Sequence, residues 1–294
     1  MSMGRIAVLG IGAMGGPIAG RLLDAGYEVT VYNRTQEAAD ALVARGARRA
    51  QDPAEAVTPG GIAVTMLAND AALAAVTAEF LPALGEGGLH ISMSTVSPGL
   101  ASNLAARHRA AGSEFLGSPV FGRPDAAAAG RLAVALSGSD AAKARAKPVH
   151  DAVSHAIFDF GEEPEAALVA KIGGNFLIVA AIEALAEAFA LMAKSDVDAR
   201  RFHEMISRTL FDSVVYRNYG KLILDRAFEP AGFKLRLGLK DVGLALEQGQ
   251  ASETPLPLAG LLRDRFLSAL AKGRGESDWA AIALAAAEDA GLDG

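Results

Sequence analysis

Cysteine is absent from the 294 residues. That excludes a thiol nucleophile, cysteine-ligated metal, iron–sulfur clusters and disulfides, and it suits a reducing cytoplasm, the expected location. Positive charge is in deficit, with 28 Lys and Arg against 34 Asp and Glu and a formal charge of −6. No long Lys/Arg run or stripe is present to grip a phosphate backbone, so nucleic acid is not an expected partner. The five histidines have neither metal-ligand spacing nor a distinguishing acidic neighbour; they read as structural or surface positions, and no metal is expected. Long apolar runs are scarce too. Ile6 to Gly20, behind Arg5, is broken by five glycines and leads into a helical pattern, unlike a secretory leader. Ile172 to Ile182 contains Gly173, Gly174 and Asn175 and is too short to span a bilayer, so no membrane anchor is expected. The chain is nevertheless 51% hydrophobic, enough for a large core, and its length favours two domains.

Through residue 160 the chain alternates short β-type runs with amphipathic stretches. IAVLG (6–10), EVTVY (28–32), GIAVTML (61–67), LHISMST (89–95), LAVALSG (132–138) and AIFDF (156–160) read as strands, most of them apolar on both faces. Helical patterns at 15–25, 36–45, 70–84 and 98–111 separate the first five. This alternation predicts an α/β doubly wound parallel sheet with helices on both faces. After GEEPE (161–165) the pattern changes to one long helix from Pro164 to Lys194, with proline in its first turn, and then to helix-length segments alone, including 233–250 and 257–272. Two domains are expected, 1–163 and an all-helical 164–294.

The first strand run leads directly into GIGAMGG. Gly10, Gly12 and Gly15, with Ile11, Ala13 and Met14 between them, separate that strand from a helix. In this setting the first glycine permits a tight turn, the second lets main chain approach a pyrophosphate, and the third allows close helix–strand packing. The helix N-terminus adds unpaired N–H groups and the positive end of its dipole. The expected ligand is a dinucleotide. At the end of the second strand an acidic residue would bind a ribose 2′-hydroxyl and repel a 2′-phosphate; Asn33-Arg34-Thr35 stands there instead. Arg34 can pair with a phosphate and stack on adenine, and Thr35 can donate to it, so NADP(H) is expected in preference to NAD(H). The alternative for Thr35 is a helix N-cap beside an exposed arginine.

Lys171 is the leading candidate for chemistry. It lies in the apolar setting ALVAKIGGNFLIVAA, with Asn175 four residues on and therefore on the same helix face. Desolvation of a lysine brings it toward the range useful in proton transfer, which suits a general acid acting on a carbonyl oxygen while Asn175 orients it or the substrate. A lysine snorkelling from a domain junction is the bland alternative. In SMSTVSPG (92–99) the hydroxyls, Ser94 among them, follow a strand toward the expected ligand crevice, while Ser97 can simply cap the helix at Pro98. Lys240-Asp241, on pattern alone, reads as a solvated pair.

Taken in order, GIGAMG, NRT, STVSP, SPVFG, KIGGN and LKDVGLALE resemble the β-hydroxyacid dehydrogenase family over essentially the whole chain. The resemblance implies an N-terminal Rossmann domain, a long interdomain helix, a helical C-terminal domain and an active site in the cleft of a homodimer or homotetramer. It implies Lys171 as catalytic acid/base with Asn175 as partner, Leu67, Ala68 and Thr95 lining the cofactor, and Lys240 reaching cofactor or substrate. The segment from Ser118 through Val120, Phe121 and Gly122 matches the loop that holds a substrate carboxylate. It departs from the family at Phe121, where a carboxylate-binding serine is usual, and at Arg123, which replaces a glycine and offers anion binding from another direction. The glycines usual before the lysine are absent, and the usual paired asparagines read Gly174-Asn175. The implied activity is NADPH-dependent reduction of a small aldehyde or keto acid, run in reverse as 3-hydroxyacid oxidation. The alternatives are a related imine reductase, which usually lacks this lysine, and a non-catalytic NADPH-binding or sensing module.

Overall fold

A computed structural model describes residues 3–292. The chain runs β1 (Arg5–Leu9), α1 (Gly15–Asp24), β2 (Glu28–Tyr32), α2 (Asp40–Val43), β3 (Arg48–Arg49), α3 (Pro53–Ala56), β4 (Ile62–Thr65), α4 (Asp70–Leu84), β5 (Leu89–Ser92), α5 (Pro98–Ala110) and β6 (Glu114–Gly117). It continues with β7 (Val120–Phe121), α6 (Pro124–Ala128), β8 (Leu132–Leu136), α7 (Asp140–Val153), β9 (Ser154–Asp159) and α8 (Ala166–Lys194), and ends with α9 (Ala199–Ser207), α10 (Val214–Leu224), α11 (Leu235–Ala251), α12 (Pro257–Ala271) and α13 (Ala283–Asp289).

Six parallel strands form one sheet in the order β3-β2-β1-β4-β5-β6. From β1 the chain steps outward to β3, then returns to place β4 on the other side of β1. The loops leaving β1 and β4 therefore diverge, opening the crevice in which doubly wound sheets bind ligands. Strand alternation sends Ile6 and Val8 into one core cluster and Ala7 and Leu9 into another, which explains why β1 is apolar from Ile6 onward.

Two sequence expectations change in detail. The runs at 132–138 and 156–160 do not extend the parallel sheet; as β8 and β9 they form a separate three-stranded sheet with β7, which lies antiparallel to β8. β9 is mostly exposed, Phe158 included, so it is not a strand buried on both faces. The sixth strand of the main sheet is β6, whose EFLG is too short to announce itself. The 36–45 helix is a 3-10 turn over Gln36–Ala39 followed by the single turn α2.

The chain divides into two compact units, one through Lys171 and the other from Ile172. The second unit is all-helical among its described residues. Its core joins Val179, Ile182 and Phe189 of α8 to Phe266 and Trp279, and the Trp279 indole donates to the Tyr219 hydroxyl at 2.9 Å. Gly238 admits this packing, since a Cβ there would lie 2.7 Å from the Phe266 ring. Helix α8, 29 residues long, is by length and composition able to cross a membrane. It buries Lys171, Asn175 and Glu183, however, and Glu183 accepts from Arg265 Nε at 2.6 Å. Such groups are avoided on lipid-facing helices, and the buried face of α8 carries part of the core of the second unit.

Candidate active site

The turn after β1 is shaped by its glycines. Gly10 has φ +100°, and a Cβ on it would lie 2.4 Å from the Met66 carbonyl oxygen. A Cβ on Gly15 would lie 1.8 Å from the Gly10 oxygen, whereas one on Gly12 would meet nothing within 4 Å. Two glycines thus close the turn, and the third, exposed beside Ala13, leaves main chain open to a visitor. No acidic residue stands in the first turn of α1 to repel an anion; Gly16 N and Ile18 N turn back onto the Gly12 and Met14 carbonyls at 3.0 and 3.1 Å, so the main chain offered to a ligand is that of the glycine turn itself. Asn33 braces the loop: its Oδ1 accepts from Ile11 N at 3.0 Å, and its Nδ2 donates to the Thr35 carbonyl at 2.8 Å. Arg34 and Thr35 are exposed, and Thr35 makes no side-chain cap to the turn it precedes. These residues fit a dinucleotide, with main chain open at Gly12.

The opposite wall follows β4. Leu67 N donates to Ser94 Oγ at 2.9 Å, and that hydroxyl donates to the Thr65 carbonyl at 3.4 Å. Ser94 is wholly buried, so its hydroxyl holds the wall together rather than facing the crevice as the sequence suggested. Ala68 is exposed, and Leu67 and Thr95 are half-buried. Ser97 caps α5 through Leu100 N at 3.2 Å and donates its own N–H to Asp70 at 3.0 Å. Below the wall runs a buried polar chain: Thr65 Oγ1 to His90 Nε2 at 2.9 Å, His90 Nδ1 to His108 Nε2 at 2.9 Å, and His108 Nδ1 to Ser113 Oγ at 2.8 Å. Rings of Phe80 and Phe115 enclose His90. Burial, reinforced by the neighbouring His108, holds His90 well below the ordinary histidine range; burial, with Arg107 nearby, lowers His108 to about 4. Neutral, enclosed histidines of this kind are scaffold.

Lys171 lies in the second turn of α8 and is only 7% exposed. Its Nζ stands 4.0 Å from the centroid of the Phe121 ring on β7. The start of α8 is clasped by buried Ser137, whose hydroxyl donates to the Pro164 carbonyl at 3.0 Å and accepts from Ala167 N at 3.1 Å. The other members of the Phe121 loop are placed differently. Ser118 is buried, with its hydroxyl 3.1 Å from His150 Nε2, and Val120 is buried as well. Gly122 has φ +141°, and a Cβ there would strike Leu132 at 2.7 Å. Arg123 is half-buried at the N-terminal edge of α6. Ser118 therefore turns inward, while Phe121 faces the lysine.

Within the second unit, Asn175 donates its amide to Asp241 Oδ2 at 2.6 Å, and Lys240 Nζ lies 2.9 Å from Asp241 Oδ1. The Asp241 side chain is 1% exposed and that of Lys240 23%, so this is not the solvated pair the pattern suggested. Asp241 is the polar group the sequence reading set aside. Its signal was present, because Gly238, Asp241, Val242 and Ala245 share the buried stripe of α11 at helical spacing. Among the described residues no cluster of His, Asp and Glu is placed to hold a metal.

A glycine turn that keeps main chain open at Gly12, at the switch point of a doubly wound sheet, defines a dinucleotide-binding fold. Residues 5–161 match the family described as the NAD binding domain of 6-phosphogluconate dehydrogenase, and residues 166–288 match that described as NAD-binding of NADP-dependent 3-hydroxyisobutyrate dehydrogenase. An uncharacterized oxidoreductase of Bacillus subtilis, YfjR, is 47% identical over 95% of this chain and 98% of its own. An NAD-dependent L-serine dehydrogenase of Pseudomonas aeruginosa is 31% identical, over 95% of this chain and 97% of its own. The crystal structure of a 3-hydroxyisobutyrate dehydrogenase from Salmonella typhimurium superposes with a TM-score of 0.86 at 28% identity, covering 96% of this chain and 99% of that one. The chain belongs to the β-hydroxyacid dehydrogenase family, and it is an NAD(P)-dependent oxidoreductase acting on CH–OH groups.

Proposed function

We propose that the protein reduces a small aldehyde or keto acid with NADPH, and in reverse oxidises the corresponding 3-hydroxyacid, with Lys171 as the general acid/base. The observation that carries this reading is the buried ammonium of Lys171, held on a rigid helix in an apolar setting. When bound, the nicotinamide cofactor supplies the hydride for the carbonyl carbon. Lys171 gives its proton to the carbonyl oxygen as charge builds there, and takes it back in the oxidation. Asn175, one turn along α8 and hydrogen-bonded to Asp241, acts as the partner of Lys171 in this reading. Leu67, Ala68 and Thr95 line the cofactor, and Lys240 contributes a positive charge to it or to the substrate. Val120, Phe121, Gly122 and Arg123 shape the substrate end, with Arg123 as the anion-binding group in place of a serine at 121.

The preference for NADP(H) is supported by Arg34 and Thr35, exposed at the end of β2 with no carboxylate at 33–35 to repel a 2′-phosphate. The serine dehydrogenase relative is NAD-dependent by name, so the choice rests on this chain's own residues. Two functional domains, 1–163 and 164–294, working in the cytoplasm as a homodimer or homotetramer, complete the reading; exposed Leu177 and Leu191 on α8 favour self-association. The test is NADPH oxidation in the presence of glyoxylate, succinic semialdehyde and a cyclic imine. Aldehyde turnover supports the reading. Turnover of the imine alone assigns an imine reductase, and tight NADPH binding without turnover across a broad panel assigns a sensing module.

A further inference from the structure

We propose that Phe121 is a positioning residue for Lys171, its ring face holding the ammonium where the proton is delivered; this rests on the reading of Lys171 as the acid. The 4.0 Å separation between Nζ and the ring centroid is well inside the roughly 6 Å over which a ring quadrupole attracts a cation. Burial strengthens that attraction, because little water competes for the charge.

Both partners are held by the framework. Phe121 pairs with Ala133 in the β7–β8 ladder, and Gly122 behind it holds φ +141°, a conformation that residues with a side chain rarely adopt. On the lysine side, Ser137 clasps Pro164 and Ala167 at the start of α8 while exchanging main-chain hydrogen bonds of 3.0 and 2.9 Å with Gly117. A Cβ on Gly117 would lie 2.7 Å from the Pro164 oxygen, so strand end and helix start meet at main-chain distance. The same sheet thus carries the ring and anchors the helix that carries the amine.

The chemistry favours an aromatic here. A lysine side chain is long and flexible, and an acid that wanders is a poor acid. A carboxylate would anchor the ammonium but compete for its proton. A phenyl face attracts the charge and takes no proton.

The test replaces Phe121 in the full-length protein with mono-, di- and trifluorophenylalanine, which keep the ring's shape while weakening its negative face, alongside Phe121→Leu and Phe121→Trp. The expected result is a stepwise fall in kcat for aldehyde reduction, about threefold to thirtyfold across the series, with KM for the carbonyl changed by no more than about twofold. Phe121→Leu matches the trifluoro protein, and Phe121→Trp restores activity. A second readout does not depend on turnover: the rate at which a small acylating reagent modifies Lys171, followed by peptide mass spectrometry, rises along the same series. Flat kcat and flat acylation in folded proteins overturn the proposal. If Lys171→Ala turns over like wild type, the acid reading fails on its own, and the acylation series still decides whether the ring holds the amine.

Discussion

The turn Gly10–Gly15 and the region around Lys171 contrast in the atoms they offer. The turn offers main chain: side chains are excluded from Gly10 and Gly15 by contacts that a Cβ would violate, and Gly12 stands open. The lysine region offers one nitrogen atom, placed by a ring, a serine clasp and a helix start. A main-chain site survives most side-chain changes nearby and fails when a Cβ is added. A side-chain site is lost by a single truncation, while its framework stands. The two regions should therefore answer differently to mutation.

The largest effect expected from that contrast is on Lys171. Lys171→Ala should lower kcat for aldehyde reduction by about 10²- to 10⁴-fold, the range typical of general acid–base groups. NADPH affinity, measured by fluorescence titration, should stay unchanged, because the glycine turn does not depend on the amine. Loss of both together would break the separation. Lys171→Arg should not rescue, since a guanidinium does not release its proton at neutral pH.

Acid tests what the two regions share. His90 and His108 underlie the wall that follows β4, and His150 bonds Ser118 at the head of the Phe121 loop. Burial lowers His108 and His150 to about 4, from an unfolded value near 6.5. The folded state keeps these rings neutral, so the unfolded chain binds protons first as pH falls. Their contribution is complete above about pH 6.5 and is lost progressively toward pH 4, by about 3 kcal/mol for each histidine. Urea midpoints measured from pH 7 to 4.5 should fall steeply, with NADPH binding and turnover lost together. A flat profile would mean the rings charge without consequence.

The glycines should separate from one another. Gly15→Ala drives a Cβ into the Gly10 carbonyl and should destabilise the first unit by about 1–3 kcal/mol, together with loss of binding. Gly12→Ala has room and should leave Tm nearly unchanged, and if main chain there receives the pyrophosphate as proposed it should weaken NADPH several-fold. Equal effects on Tm at both positions would show that Gly12 is a packing glycine too.

Legibility in sequence followed the same division. The glycine turn was readable because its constraint is local: three glycines between a strand run and a helix have few physical meanings. The main strands were readable because burial on both faces leaves uninterrupted apolar runs such as IAVL. β6 and β7 were not, being four and two residues whose pairing partners lie elsewhere in the chain. Lys171 was readable as a misfit in an apolar helix, but the ring beneath it was not, because the Phe121–Lys171 contact joins residues fifty positions apart. Asp241 is hidden for a related reason. Lys240-Asp241 reads as a surface pair in sequence, and the carboxylate on the buried face of α11 is explained by two partners together, the Lys240 ammonium beside it and the amide of Asn175 sixty-six positions away.

The smallest effect belongs to the side chain that the glycine turn leaves to choose between cofactors. Arg34 is exposed, so a 2′-phosphate paired with it stays partly solvated and its contribution is moderate. Arg34→Ala should raise the Kd for NADPH about tenfold and leave that for NADH within about twofold, since NADH offers the arginine no phosphate at that position. Because Asn33 braces the loop through Ile11 N, Asn33→Asp keeps an acceptor at the same place and adds the repelling charge. It should shift preference further toward NADH, at a stability cost of about 1 kcal/mol for the lost Nδ2 bond to the Thr35 carbonyl, and titration of the two cofactors against both variants measures the preference directly. If Arg34→Ala weakens both cofactors equally, the arginine is acting on the adenine ring and not on the phosphate, and discrimination at this strand end rests on the missing carboxylate alone.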